Sequence, residues 1–198
     1  FKLILSHYWS ENLLKLKSKN DHLIIIDPIE VASFKKINFI VKMCYNSQKD
    51  IYLQQYLNNN CSQKTIICVE SALDADEITQ ILSKLNFHPI KITEWQSPSE
   101  LSDIINIWSK CNRSLFVASE NVISRLNITD ADCIIHYGVP LSKDSFRRRI
   151  TCMISSILMD QKVCCTLIVS EEDIKHLLCL INLFQIMAGS KDFIDNDI

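Results

Sequence analysis

The sequence predicts an α/β domain, a mostly parallel sheet with helices packed on both faces. Three observations carry this. Short apolar runs alternate with helix-period segments along most of the 198 residues. One run, Thr65 to Val69, has no charged residue and no polar alternation, as expected of a strand covered on both faces. The spacing between runs leaves room for a crossover helix after each strand, and such crossovers are right-handed.

Leu3 to Leu5 reads as a strand, Trp9 to Lys19 as a helix with Leu13, Leu14 and Leu16 on one side, and Leu23 to Ile26 as a second strand. Asp27-Pro28 stops it, because proline lacks a ladder donor and pushes the preceding residue to extended geometry. Ile29 to Lys36 connects. From Ile37 the alternation is regular. Ile37 to Cys44 is a strand, and Ser47 to Leu57 a helix that the run Asn58-Asn59-Asn60 is expected to break. Thr65 to Val69 follows. Ser71 then caps a helix over Leu73 to Leu85, with Ile78, Ile81, Leu82 and Leu85 as its stripe. Pro89 to Thr93 is a strand. Ser97 precedes Pro98 at the tolerated first helical position, and Leu101, Ile104, Ile105 and Trp108 form the next buried stripe. Leu115 to Ala118 and Cys133 to His136 are strands. Ser142 to Leu158 reads as one helix, Val163 to Val169 as a strand, and Glu171 to Met187 as a closing helix.

Composition removes several functions. Gly138 and Gly189 are the only glycines, so no glycine-rich phosphate loop exists in this chain. A net charge of -2 supplies no global field for nucleic acid, so any phosphate contact must come from a local patch. None of the nine cysteines forms a C-x-x-C pair, which predicts reduced, buried thiols of an intracellular protein and no metal site. Cys164-Cys165 lies in a predicted strand, where neighbouring side chains point to opposite faces, so it is a poor redox pair. The longest uncharged stretch, His176 to Ser190, is shorter than the ~20 residues of a membrane span. The chain begins at Phe1 and is read as a piece of a longer protein.

Several segments carry a resemblance. Ser6-His7-Tyr8, Thr65 to Ser71, Val117-Ala118-Ser119-Glu120 and Asp132 to Pro140 fall, in order, where the second RecA-like lobe of DEAD-box helicases and the tail of its first lobe carry their motifs. The chain therefore resembles a RecA-like helicase C-terminal lobe over residues 31–198, with residues 1–30 as a remnant of the first lobe and linker. The resemblance implies RNA-backbone contacts and nucleotide-reaching arginines.

The departures from that pattern are specific. Where the family continues Ala-Arg-Gly-Leu-Asp, this chain has Ile123-Ser124-Arg125-Leu126-Asn127. Ser124 replaces an arginine, Arg125 a glycine and Asn127 an aspartate. The final pattern, His-Arg-x-Gly-Arg-x-Gly-Arg, falls on Arg148 to Ser155. Arg149 survives, and Cys152 and Ser155 replace the later arginines. An arginine that stabilises charge during phosphoryl transfer contributes about 10³–10⁵ in rate. Ser99 likewise stands where an arginine is expected after Gln96. No catalytic residue is assigned, and ATP binding is not expected. Degenerate lobes of this kind resemble most the helicase-like tudor-domain-containing family of animal germlines. That resemblance implies a scaffold in PIWI-interacting RNA biogenesis, PIWI-type partners and perinuclear cytoplasmic granules.

Arg147, Arg148 and Arg149 are three of the five arginines. They read either as an RNA-backbone or partner contact, suited to the planar guanidinium fork, or as a solvated helix face. Consecutive helical residues diverge, so at most two share one ligand. Ser119 and Glu120 sit at a predicted strand end, the usual ligand crevice of an open α/β sheet. They read either as a phosphate contact or as a helix cap with a first-turn acid. Trp95 either stacks on a base or belongs to a core or interface. His7, His88 and His136 read as structural, and no cysteine–histidine arrangement stands out. Three functions stay open: a non-enzymatic RNA-binding or protein-binding module, a lobe of a working ATP-dependent helicase, and an interaction domain without RNA binding. The apolar residues of segment 1–30 predict a homodimer, since an apolar strand edge pairs readily with another chain.

Overall fold

A computed structural model describes residues 37–60 and 63–177. They form one six-stranded, all-parallel sheet in the order β1-β6-β5-β2-β4-β3. The strands are β1 (Ile37–Met43), β2 (Lys64–Val69), β3 (Ile90–Ile92), β4 (Ser114–Ser119), β5 (Cys133–Tyr137) and β6 (Val163–Val169). Helices α1 (Lys49–Asn60), α2 (Ala72–Lys84), α3 (Pro98–Lys110), α4 (Glu120–Ile123), α5 (Lys143–Thr151) and α6 (Ile154–Leu158) connect them.

The pleat divides the core. Ile66 and Cys68 of β2 join Leu101 and Trp108 of α3, Phe146 and Ile150 of α5, and Ile157 of α6 on one face. Ile67 and Val69 join Leu53 and Leu57 of α1 and Ile78 and Leu82 of α2 on the other. Period two in the strands meets period three to four in the helices, which is why a strand without polar alternation is satisfied here. Cys164 and Cys165 accordingly pack in different layers.

The helix starts follow their capping residues. Ser71 Oγ accepts from Asp74 N while Asp74 accepts from Ser71 N, at 3.2 and 2.9 Å. Ser97 and Glu100 repeat this reciprocal arrangement ahead of Pro98. Two expectations need correction. The asparagine run does not break α1, which continues to Asn60, because Asn60 Nδ2 donates to the Tyr56 carbonyl and satisfies a helix-end acceptor. The segment Ser142 to Leu158 is two helices. Cys152 and Met153 interrupt it, where the Cys152 carbonyl accepts from Ala131 N at 2.9 Å instead of continuing the helical ladder. The expected elements in 1–36, the proposed boundary near residue 30 and the closing helix beyond Leu177 lie outside the described residues. No helix among the described residues is long and apolar enough to cross a membrane.

Candidate functional site at the carboxyl edge of the sheet

Parallel strands deliver their carboxyl ends to one edge, and β4, β5 and the start of α4 meet α5 there. Phe146, Arg149 and Ile150 recur at helical spacing on the buried side of α5. Arg149 is thus carried inward on an apolar stripe and is 3% exposed. Its Nε donates to Glu120 Oε2 at 2.7 Å. Arg148 donates to the other oxygen of the same carboxylate at 3.2 Å. Two of the three consecutive arginines therefore share one partner, which is the chain's own Glu120. Arg147 lies 4.0 Å from Asp144 one turn earlier.

The other side of the Arg149 guanidinium meets His136 on β5, 3.1 Å from Nδ1. A guanidinium only donates, so Nδ1 accepts and the imidazole proton sits on Nε2. Nε2 faces Cys165 Sγ at 3.2 Å, and Phe146 stacks on the ring at 5.1 Å. Burial, reinforced by the charge of Arg149, holds His136 well below the usual imidazole range, so it is neutral. Burial also pushes Cys165 well above the ordinary thiol range. The cysteine–histidine contact, absent from the sequence expectations, is therefore a neutral pair without a thiolate. Burial works to raise Glu120, and the Arg149 charge with its hydrogen bond and Arg148 outweigh it. Its carboxyl lies below the ordinary value.

Ser119 is fully buried at the end of β4. It holds the N-cap position of α4, yet its hydroxyl makes no capping bond. It donates instead to Glu94 Oε2 at 2.6 Å, and Asn121 Nδ2 donates to the second Glu94 oxygen at 3.1 Å. Glu94 was not visible as a partner in the sequence, because it lies 25 residues from Ser119. Trp95, next to it, is 67% exposed and belongs to no core layer. Gln96 closes the same turn through Thr93 N and the Lys91 carbonyl.

The positions that depart from the helicase pattern divide in two. Ser124, Arg125 and Asn127 are exposed, and Asn127 takes a left-handed φ of 48° that asparagine tolerates. Cys152 is buried, and burial raises its thiol above the ordinary range. Ser155 bonds Thr129 through its hydroxyl and its backbone N–H, at 2.8 and 2.7 Å. Neither of these last two side chains carries charge. Among the described residues no cluster of histidine, cysteine or carboxylate has the makings of a metal site.

Residues 48–151 match the family described as the helicase conserved C-terminal domain. Human TDRD12 is 23% identical over 181 residues, covering 84% of this chain and 15% of that protein. The ATP-dependent rRNA helicase RRP3 of Gibberella zeae is 23% identical over 131 residues, covering 63% of this chain and 27% of that protein. The chain thus spans less than a third of either relative. The E. coli DEAD-box protein SrmB, solved with regulator of ribonuclease activity A, shares the fold at a TM-score of 0.67 and 15% identity, over 74% of this chain and 85% of that one. A DEAD-box protein of Methanococcus jannaschii superposes at a TM-score of 0.65 and 19% identity, over 89% of this chain and 47% of that one.

Proposed function

Because the chain belongs to the helicase conserved C-terminal domain family, we propose that it is a catalytically degenerate lobe serving as an RNA-binding or protein-interaction scaffold in PIWI-interacting RNA biogenesis. The observation that carries this reading is the fate of the final motif. Arg149 neutralises Glu120 inside the domain, Cys152 is buried without charge, and Ser155 bonds Thr129. A phosphoryl-transferring lobe needs cations aimed at the nucleotide, and these three positions supply none.

RNA is the ligand class favoured by the names of the relatives. Arg147 and Arg148, half buried along α5, are the side chains this reading assigns to backbone phosphates, with Ser119 and Glu120 shaping the edge behind them. Such binding is weak and sequence-independent. The tudor-domain resemblance supports a scaffold in perinuclear granules with PIWI-type partners and without bound ATP. Residues 1–30 are assigned to self-association, which light scattering with and without that segment tests.

The decisive measurement is hydrolysis by the full-length protein with and without RNA. No brisk RNA-stimulated turnover is expected. Turnover at ordinary helicase rates would falsify the degenerate reading and make this lobe part of a working helicase. RNA affinity is measured alongside as salt is raised. A linear fall of log K with log salt, shallower by roughly one or two phosphate contacts in the Arg147→Glu/Arg148→Glu variant, supports RNA as the ligand. No RNA binding leaves a protein-interaction domain. Arg149 stays out of that variant, since reversing a buried charge disrupts the domain itself.

A further inference from the structure

Three cysteines sit on the β5 and β6 strands, and two of them meet at the opposite, amino edge of the sheet. Cys133 and Cys164 are register partners on adjacent parallel strands, so their side chains leave the same face. Neighbouring strands run about 4.7–4.9 Å apart, within the roughly 4.4–6.8 Å Cα separation a disulfide spans. One hydroxyl binds both sulfurs. Tyr56 of α1 donates to Cys164 Sγ at 3.1 Å and lies 3.4 Å from Cys133 Sγ. Thr166, two residues along β6, lies 3.8 Å from Cys164 Sγ on the same face.

The two thiols differ in access. Cys133 is fully buried, whereas Cys164 is half buried and faces the exposed Asn38 side chain at 4.0 Å. We propose that Cys164 and Cys133 form a reversible peroxide-sensitive dithiol, with Cys164 the sulfur oxidised first and Cys133 the resolving thiol. The hydrogen bond from Cys133, with that from Tyr56, draws Cys164 below the ordinary thiol range against the effect of burial, and Cys133 is driven well above it. The lowered Cys164 suits the first attack, because the thiolate is the nucleophile, and Cys133 reacts as the neutral thiol.

The chemistry balances with hydrogen peroxide as oxidant. The Cys164 thiolate attacks one peroxide oxygen, the O–O bond breaks, and hydroxide leaves and takes up a proton as water. Cys164 becomes a sulfenic acid, oxidised by two electrons. The Cys133 sulfur then attacks the Cys164 sulfur. The S–S bond forms, the S–O bond breaks, and the departing hydroxyl takes the Cys133 proton as a second water. A thiol reductant reverses the bond by exchange. The bond crosses β5 to β6 beneath α1 and removes the hydrogen bonds that Tyr56 makes to the two thiols.

The test treats the full chain with equimolar hydrogen peroxide, alkylates the remaining thiols and maps peptides by mass spectrometry. The expected product is a Cys133–Cys164 cross-linked peptide that reductant releases. Cys133→Ser should instead accumulate a dimedone-trapped sulfenic acid on Cys164, while Cys164→Ser leaves Cys133 alkylatable. A second measurement follows iodoacetamide labelling of the untreated protein against pH. Cys164 should label with a lower midpoint than free cysteine in solution, and Tyr56→Phe should move that midpoint upward. Peroxide consumption by other cysteines with both of this pair still alkylatable overturns the proposal, as does a Cys164 midpoint at or above that of free cysteine.

Discussion

The two edges of the sheet hold polar clusters of opposite character. At the carboxyl edge, Glu120, Arg148 and His136 form a charged cluster around Arg149, which is 3% exposed. At the amino edge, Tyr56, Cys133 and Cys164 form a cluster of hydroxyl and thiols beside partly exposed surface. The first is fixed because a buried charge tolerates no loss of its partner. The second is held by hydrogen bonds between one hydroxyl and two weakly polar sulfurs. The edge that carries the helicase motifs thus holds Arg149 in an internal ion pair, and the edge without motifs holds two thiols around one hydroxyl.

The sharpest way to break this comparison is to remove one partner at the carboxyl edge. Glu120→Ala leaves Arg149 buried without its carboxylate and should cost about 3–5 kcal/mol in urea unfolding. Glu120→Gln with Arg149→Met should recover much of that loss, since no buried charge remains. A loss under 1 kcal/mol for Glu120→Ala would show that the pair does not organise this edge.

His136 supplies the next effect. Its folded value is depressed, so the unfolded chain binds more protons once pH falls below about 6.5. Stability should be level above that pH with respect to this group, and should fall below it by about 1.4 kcal/mol per pH unit until the lowered folded value is reached. His136→Gln, which keeps an acceptor for Arg149, should flatten that part of the profile. Glu120 acts in the same direction at lower pH: its lowered carboxyl contributes above the ordinary carboxylate range, and the contribution is lost as pH falls through the folded value.

At the amino edge the effects should be smaller. Tyr56→Phe removes one neutral hydroxyl and should cost about 0.5–1.5 kcal/mol by thermal or urea unfolding. A loss as large as that of Glu120→Ala would erase the contrast between the two clusters. Smallest of all, Ser155→Ala removes only the exposed side-chain bond to Thr129 and should stay within about 0.5 kcal/mol.

The sequence by itself determined the architecture. Unbroken apolar runs such as Thr65 to Val69 need cover on two faces, and the stripes of α2 and α3 supply such cover at a spacing that admits a parallel sheet. Val163 to Val169 forms over the residues expected, and Ser71 and Ser97 cap where local chemistry places them. These features were legible because periodicity and capping act within a few residues. The interruption at Cys152 and Met153 was not, since it answers to Ala131 on another segment. Arg147 to Arg149 could be located in sequence, but whether an arginine faces phosphate or Glu120 depends on a carboxylate 28 or 29 residues away. Cys133 and Cys164 met only through the β5–β6 register, which joins residues 31 apart without any local signal. Sequence therefore fixed which surfaces had to be buried, and tertiary structure decided which polar groups met, because hydrogen bonds depend on positions within a few ångströms that only the assembled sheet defines.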